Sequence, residues 1–292
     1  MPKLAVLDIG TNSIHMVLAE VQPDYTYKIL DRFKDMTRLG DGVFTSRRLS
    51  DQAMMRGLEV IRNLVTLARN KGYERIEGVA TSAVREARNG GEFLDHVAQQ
   101  TGLTVRVITG AEEARLIFLG VQNSVALPEP PTLVIDIGGG SVEVIVGNRD
   151  TIYQARSLKL GAIRLKDLYL TKTPPSKAML HELEEAVTGQ LKQALGTYKT
   201  KRVEQIIATS GMAGNLAEVI YLQRTGRPLQ QLNLTKISAK EIAAVEKRLA
   251  DATLKTRLAM PGLDPKRVDT LLPATMVFRI LLDLLRKDEL TI

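Results

Sequence analysis

Apolar strands that end at an acid and a small polar loop occur twice along the chain. Residues 3–9 and 14–21 have the apolar or alternating pattern of strands, and Gly10 to Ser13 form the turn between them. The pattern returns where an apolar run reaches Asp136, breaks into three glycines and a serine, and continues as a second apolar strand. Two units with the same order of strand, loop and strand predict two similar lobes that face one another.

The same order of elements follows each loop. In each half, hydrophobic periodicity predicts three strands, a helix, a strand and a helix. The segment from Leu127 to Pro131 is rich in proline and predicts a linker, so we assign residues 1–126 to the first lobe and residues 127–292 to the second. The clearest predicted strands are 3–9, 14–21, 25–33, 76–80, 105–108, 132–137, 142–147, 151–159 and 205–208, and the clearest helices are 54–71, 91–100, 176–198, 239–250 and 274–287.

The composition limits the class of protein. With 292 residues and 44% hydrophobic residues, the chain can bury one large core or two ordinary ones. It contains no apolar run of about 18 residues, and its first residues form a predicted strand where a signal peptide would need an apolar helix. We therefore expect a cytoplasmic protein without a membrane partner.

The residue types also limit the chemistry of a metal site. The chain has no cysteine, which excludes disulfides, thiolate catalysis and sulfur-ligated zinc or iron–sulfur sites. Its three histidines, His15, His96 and His181, are scattered. A metal ion must therefore bind oxygen ligands, which favours Mg²⁺, or alternatively Mn²⁺, over zinc.

Positive charge is concentrated in the second half of the chain. Residues 151–292 carry 23 Lys and Arg against 14 Asp and Glu, whereas residues 1–150 carry 17 against 19. This excess is explained either by an anionic partner or by a solvated basic surface. Nucleic acid is not the expected anion, because aromatic residues make up 4% of the chain, tryptophan is absent and no recognition-helix motif is visible.

Both loops have the composition of a phosphate-binding turn. The consecutive glycines Gly138, Gly139 and Gly140 permit a tight turn and leave backbone N–H groups accessible to an anion. Asp8 and Asp136 end the strands that precede the loops, where two carboxylates could hold a hydrated Mg²⁺ between phosphates. Taken singly, either loop could be a plain hairpin turn, but a pair is harder to explain in that way. The loop side chains that can donate to phosphate oxygens are Thr11, Asn12, Ser13 and Ser141.

Further candidates lie near the ends of other strands. Glu112 and Glu113 begin a predicted helix, where they either complement the helix dipole or place one carboxylate to orient or deprotonate water. Arg85 follows a buried strand and is either a surface residue paired with Glu86 or, as we favour, a bidentate phosphate clamp. His15 lies within a strand and is expected to be structural. Six basic residues either line an approach for a polyanion or are solvated charges: Lys159, Arg164, Lys166, Lys199, Lys201 and Arg202.

Five short motifs follow one another along the chain. They run from Asp8 to Ser13, Thr81 to Glu86, Gly110 to Arg115, Asp136 to Glu143 and Ala208 to Gly211. In this order they resemble the exopolyphosphatase and guanosine pentaphosphate phosphohydrolase (Ppx/GppA) family, and the resemblance covers nearly the whole chain. The two Asp-Gly loops alone would indicate only the wider actin-like ATPase superfamily.

The resemblance implies a fold and a set of site residues. The implied fold is α/β, with two actin-like (ribonuclease H-like) lobes, each a mixed five-stranded sheet with flanking helices, and a cleft between them. Glu113 matches the family's catalytic glutamate and Arg85 its phosphate-binding arginine. Asp136 and Glu143 match acids near the metal and the phosphates, so with Asp8 they form the expected metal site.

The last motif and the end of the chain complete the comparison with the family pattern. We assign Ser210 and Gly211 to phosphate binding. Family members continue past the strand that matches Leu290 to Ile292 into a final helix that returns to the first lobe, and longer members add an all-helical domain. Neither is present in this sequence, which predicts a shortened second lobe.

The resemblance also implies an activity. It is the Mg²⁺-dependent removal of terminal orthophosphate from inorganic polyphosphate by attack of water. The alternative within the same chemistry is hydrolysis of guanosine pentaphosphate (pppGpp) to the tetraphosphate (ppGpp), because both substrates present a phosphoanhydride end. Less favoured hypotheses are an actin-like ATP-dependent kinase and a non-catalytic polyphosphate or nucleotide sensor. The sequence leaves the oligomeric state open, including a homodimer.

Overall fold

Each sheet begins with three consecutive strands, and helices and further strands follow them, as the hydrophobic periodicity predicts. The computed structural model describes residues 2–24, 26–196 and 202–292. The chain divides into two compact units, Met1–Thr109 and Gly110–Ile292. Each unit contains one mixed sheet with flanking helices.

The described part of the first unit forms five strands and four helices. They are β1 (Lys3–Ile9), β2 (Ile14–Val21), β3 (Tyr27–Asp35), α1 (Val43–Ser46), α2 (Asp51–Asn70), β4 (Arg75–Ala80), α3 (Ser82–Glu86), α4 (Gly90–Thr101) and β5 (Val105–Val107). The strand order is β3-β2-β1-β4-β5, with β1 antiparallel to β2 and parallel to β4. Because β1 and β4 are parallel, the loop after β1 lies beside the turn that opens α3.

The described part of the second unit forms six strands and seven α-helices. They are α5 (Gly110–Gln122), β6 (Thr132–Ile137), β7 (Val142–Gly147), β8 (Ile152–Leu158), α6 (Ala162–Tyr169), α7 (Lys177–Leu195), β9 (Gln205–Thr209), α8 (Ser210–Thr225), β10 (Lys236–Ser238), α9 (Ala239–Asp251), α10 (Leu254–Leu258), α11 (Leu271–Leu285) and β11 (Glu289–Thr291). The strand order is β10-β11-β9-β6-β7-β8.

The two sheets share one strand connectivity. The order β8-β7-β6-β9-β11 in the second sheet repeats β3-β2-β1-β4-β5 in the first, with the same parallel and antiparallel pairs. Strand β10 pairs antiparallel with β11 and adds a sixth strand to the predicted five. Its three residues are too few for periodicity to reveal. The predicted class, two mixed α/β sheets with flanking helices, is confirmed.

Helix α5 packs on the second sheet, against β7 and β8. Its buried side chains Ala114 and Phe118 join Val134 and Ile145 in one apolar cluster. The fit is close, because a Cβ on Gly147 would lie 2.5 Å from Cζ of Phe118. The boundary between the compact units therefore lies before α5, whereas the sequence-based boundary at 126/127 lies after it.

One ion-pair network ties the helices of the second unit together. Arg279 lies on the apolar helix α11, and its side chain is 18% exposed. Its guanidinium donates to Glu246 Oε2 (2.8 Å), to Glu184 Oε1 (3.1 Å) and to Asp283 Oδ2 (3.1 Å). These contacts join α11 to α7 and α9. Burial raises the pKa of Glu246, and its bond and charge interaction with Arg279 oppose that rise.

Replacing Arg279 with methionine should destabilise the fold at neutral and alkaline pH. The variant leaves the Glu246 carboxylate largely buried without its cation, so we expect a loss of about 1–3 kcal/mol in the free energy of unfolding at pH 8. At pH 4 Glu246 is mostly protonated and the loss should be smaller. Urea unfolding at both values measures the difference. The double variant Arg279→Met/Glu246→Gln should recover stability at pH 8, and equal losses at the two pH values would contradict this account.

Candidate active site

A row of polar side chains crosses the apolar second sheet near the carboxyl end of β6. The strand register places Glu143 opposite Asp136, Ser157 opposite Glu143, and Thr209 opposite Asp136. The Ser157 hydroxyl donates to Glu143 Oε1 (2.7 Å), and the Thr209 hydroxyl donates to Asp136 Oδ2 (2.5 Å). Because directly opposite residues project from the same face, the two acids share one side of the sheet.

The acids of this row repel one another. Glu143 is 1% exposed, and its pKa is raised to about 8. Burial is the largest cause, the negative charges of Glu113 and Asp136 add to it, and hydrogen bonds from Ser157 and Ser141 oppose it. Burial also raises the pKa of Asp136. Three carboxyl groups of the second unit thus lie close enough to interact, in surroundings that favour a bound proton or cation.

Helix α5 brings Glu113 to this pair of acids. In strands, alternate residues share a face, so Glu143 and Ile145 project from the same side of β7. Helix α5 covers that side through Phe118, which packs with Ile145. Adjacent helical residues point about 100° apart, and Glu113 rather than Glu112 is the one whose charge raises the pKa of Glu143. The fold therefore places Glu113 rather than Glu112 near Glu143, a difference that the residue types alone do not reveal.

The glycine loop is held from one side by α6. Gly138 N–H donates to Ser141 O (3.0 Å) and closes the turn. The carbonyl of Gly138 accepts from Ala162 N–H (2.9 Å), and that of Gly139 accepts from the next two N–H groups of α6 (2.9 and 3.1 Å). Residues 138–141 therefore form a turn in which the carbonyl oxygens of Gly138 and Gly139 are directed at α6.

Arg164 is part of this support, in contrast to both predicted alternatives, a place on a polyanion approach or a solvated charge. Its side chain is 6% exposed, and Nε donates to Gly140 O (2.7 Å). The contact also requires a glycine at position 161, just before α6. A Cβ on Gly161 would lie 2.3 Å from the carbonyl carbon of Gly140. Neither role was predicted from the sequence, where the signal is a glycine followed three residues later by an arginine at the start of α6.

The other predicted basic residues have different surroundings. Lys166 pairs with Asp167 (2.9 Å), whereas Lys159 and Arg202 are exposed. Lys199 and Lys201 lie outside the described residues. Arg164 therefore does not line the predicted approach for a polyanion. Among the described residues of that set, Lys159 and Arg202 are exposed.

A buried arginine crowds the turn between β9 and α8. Ser210 has a φ of 88°, which is uncommon for a residue other than glycine, and its Oγ accepts from Met212 N–H (3.2 Å). A Cβ on Gly211 would lie 2.3 Å from Nη2 of Arg267. Arg267 is 6% exposed and its Nε pairs with Asp264 (3.3 Å). The predicted phosphate-binding turn thus has a cation against it that no sequence pattern indicated.

The loop of the first unit closes with the same hydrogen bond as the glycine loop. Gly10 N–H donates to Ser13 O (3.1 Å), and Asp8 precedes the turn as Asp136 does in the second unit. Ser13 Oγ is hydrogen-bonded to Nε2 of His15 (2.8 Å). His15 therefore orients a loop hydroxyl, which is consistent with the structural role expected of it.

Neighbouring segments bury the tip of this first loop. Thr11 and Asn12 are 4% and 7% exposed. The Arg38 and Gly40 N–H groups donate to Asn12 O (2.9 Å) and Thr11 O (2.8 Å), and Thr11 Oγ1 accepts from Ala83 N–H (3.2 Å). Among the described residues, Asn12 Oδ1 is buried with no hydrogen-bond partner. A buried acceptor of this kind calls for a ligand or water that donates to it.

Arg85 lies on α3, which follows β4 as predicted. Its guanidinium Nη1 donates to Ile108 O (2.7 Å), at the end of β5. Glu86, the predicted alternative partner, accepts from Ser82 Oγ (3.1 Å). The contact with Ile108 fixes the guanidinium at the carboxyl end of the first sheet, where ligands bind in α/β folds.

A comparison with known proteins gives the family. The model of the Ppx/GppA phosphatase family matches residues 12–292. The chain belongs to this family. The predicted family and the predicted enzyme class, a phosphoanhydride hydrolase, are confirmed at this level.

Relatives of this Ppx/GppA protein include named exopolyphosphatases. Exopolyphosphatase 2 of Mycobacterium tuberculosis (strain H37Rv) is 29% identical over 306 aligned positions, which cover 100% of this chain and 95% of that protein. The structure of an exopolyphosphatase from Cytophaga hutchinsonii is 29% identical with a TM-score of 0.89, covering 99% of this chain and 93% of the other. An Aquifex aeolicus Ppx/GppA family member is 25% identical with a TM-score of 0.80, covering 99% and 92%.

The residues of this Ppx/GppA chain fit a magnesium ion that takes few protein ligands. The described residues contain no group of three or more His, Asp or Glu side chains arranged to hold a metal ion. Mg²⁺ commonly binds one or two carboxylates and completes its shell with water and phosphate oxygens. Asp136 and Glu143 supply such a pair, and burial, which raises the pKa of both, disfavours their charged forms unless a cation is bound. Across the described residues, no helix combines the length and apolar character needed to cross a membrane.

Replacing Glu143 with glutamine should stabilise the metal-free Ppx/GppA protein at high pH. The pKa of Glu143 rises from 4.5 to about 8 on folding. Its contribution to stability is therefore fully present below pH 4.5 and is lost as the pH rises toward 8. We expect the variant to exceed the wild type at pH 8 by on the order of 2–4 kcal/mol, with little difference at pH 4. Denaturant unfolding in EDTA measures both, and a gain of equal size at pH 4 would contradict the titration.

Proposed function

We propose that this protein is an exopolyphosphatase that uses Mg²⁺ to release terminal orthophosphate from inorganic polyphosphate. The observation that carries the proposal is the approach of Glu113 to the buried Glu143 and its strand partner Asp136 in the unit that contains the glycine loop. The names of the compared relatives from Mycobacterium tuberculosis and Cytophaga hutchinsonii support the choice of substrate.

In the second unit, backbone and carboxylate groups have separate roles. The N–H groups of Gly139, Gly140 and Ser141 are proposed to bind oxygens of the terminal phosphoryl group, as in other anion-binding turns. Asp136 and Glu143 would hold Mg²⁺, which when bound neutralises charge on the phosphoryl oxygens. The Ser210–Gly211 turn is proposed to bind a further phosphate, because it opens helix α8 with Arg267 against it.

Glu113 is proposed as the base that orients and deprotonates water. The water oxygen forms a bond to the terminal phosphorus while the bond from that phosphorus to the bridging oxygen breaks. The water proton passes to the Glu113 carboxylate, and the shortened polyphosphate leaves with the bridging oxygen. Glu113 suits this role because it is partly exposed at the first turn of α5, whereas Glu143 is buried and its pKa is raised to about 8.

The first unit is proposed to bind phosphate through its own loop. Thr11, Asn12 and Ser13 would contribute hydroxyl, amide and backbone donors, and Asp8 is proposed as a metal ligand in this unit. Arg85 would clamp phosphate oxygens through its planar guanidinium, whose orientation is set by the bond from Nη1 to Ile108 O.

Substrate choice is tested by comparing phosphate release from long polyphosphate, tripolyphosphate and pppGpp, each with Mg²⁺, with Mn²⁺ and with EDTA. We expect Mg²⁺-dependent release that is fastest from polyphosphate. Faster release from pppGpp than from polyphosphate would identify the alternative substrate of this family. Transfer of phosphate from ATP to an acceptor would indicate a kinase, and binding without release would indicate a sensor. The cytoplasmic location and a possible homodimer stay predictions.

Replacing Glu113 with glutamine should abolish turnover while preserving binding. Loss of a general base costs about 10²- to 10⁴-fold in rate, so kcat for phosphate release should fall by that range with little change in affinity for polyphosphate. Stopped assays of phosphate release and calorimetric binding give the two quantities.

The matched control is Glu112→Gln, which makes the same chemical change one residue away in the same helical turn. It should retain kcat to within about threefold, because its side chain points elsewhere. Turnover that survives in Glu113→Gln, or that falls equally in both variants, would show that Glu113 is not the base.

A further inference from the structure

The carbonyl groups of Gly138, Gly139 and Gly140 all accept hydrogen bonds from the first turn of α6. Gly138 O and Gly139 O accept from backbone N–H groups, and Gly140 O accepts from Nε of Arg164. In a trans peptide, the C=O of one residue and the N–H of the next point in opposite directions. The N–H groups of Gly139, Gly140 and Ser141 are therefore directed away from α6.

These N–H groups form a set of donors on the opposite side of the loop. Gly139 and Gly140 are buried, and their N–H groups donate to no atom among the residues the structure describes. Successive N–H groups that converge in this way form an anion-binding concavity. Their orientation depends on the bonds that hold the carbonyls behind them.

The guanidinium of Arg164 differs from the backbone N–H donors of α6 because it is a side-chain group. The N–H groups of α6 are supplied by any residue at the start of that helix, whereas the bond to Gly140 O requires this guanidinium. It is a buried cation behind the loop, and its charge polarises the Gly140–Ser141 peptide so that the Ser141 N–H becomes a stronger donor. We infer that Arg164 is a positioning residue that directs and strengthens the phosphate-binding N–H groups, and this inference rests on the proposed function of the loop.

The packing around Gly161 shows how closely the loop is held. A Cβ on Gly161 would lie 2.3 Å from C and 2.4 Å from N of Gly140, and 2.4 Å from N of Ser141. The loop backbone therefore rests directly on the start of α6. A peptide that loses its bond to Arg164 loses the contact that fixes the direction of its N–H group.

The test compares Arg164→Gln with a matched control, Arg257→Gln. Arg257 is another buried arginine of the second unit, 2% exposed, and its Nε also donates to a backbone carbonyl, that of Leu249 (2.9 Å). Calorimetry with Mg²⁺ measures the affinity for tripolyphosphate, and circular dichroism checks that each variant is folded. We expect Arg164→Gln to bind about 10- to 100-fold more weakly, as for a lost charge-assisted hydrogen bond. Arg257→Gln should bind within about twofold of the wild type.

A second variant, Arg164→Lys, separates charge from geometry. It keeps the cation but not the planar fork, so it should recover part of the affinity that Arg164→Gln loses. Unchanged binding by Arg164→Gln, equal weakening by Arg257→Gln, or no binding of tripolyphosphate by the wild type would overturn the inference. If the wild type binds tripolyphosphate but releases no phosphate, the proposed hydrolase function fails while the Arg164 comparison still decides the inference.

Discussion

A carboxyl group buried in an apolar sheet loses its hydration, and it is tolerated only with hydrogen bonds, a proton or a cation. Glu143 is under this constraint, since it lies on a fully buried central strand with Asp136 opposite and Glu113 nearby. The hydroxyl groups of Ser157 and Ser141 donate hydrogen bonds that replace part of the lost hydration of Glu143. The remainder is met by a proton, or by a cation such as the proposed Mg²⁺. The proposed chemistry of the second unit depends on this need for a proton or a cation.

The glycine loop obeys a second constraint, the planarity of the peptide bond. Helix α6 binds the loop carbonyls, so the loop N–H groups face the other way. Strand register thus sets the positions of Asp136 and Glu143. Peptide geometry sets the direction of the loop N–H groups that are proposed to bind phosphate. The first unit repeats the closing hydrogen bond of the loop at Gly10 and Ser13, but with the different neighbours Arg38 and Gly40.

The parts of the fold that the sequence predicted are those with a short-range cause. Alternation of apolar residues indicated the strands, and the glycine turns indicated where they reverse. The pairing of Asp136 with Glu143 follows from a hairpin centred on the glycine loop. Strand β10 escaped prediction because three residues carry no period. Helix α5 was assigned to the first lobe because a proline-rich linker follows it, yet its apolar side packs on the second sheet.

The sequence by itself determined the two loops, the strands β1 to β9 and the family, because these depend on local residue types and their spacing. Only the tertiary structure decided which residues support the loops. Arg164 had the sequence character of a surface cation, yet it is buried beneath Gly140 because α6 begins directly against the loop. Arg267 comes to lie against Gly211 from 56 residues further along the chain. No sequence period or motif indicates such contacts, because they form only when separate elements pack together.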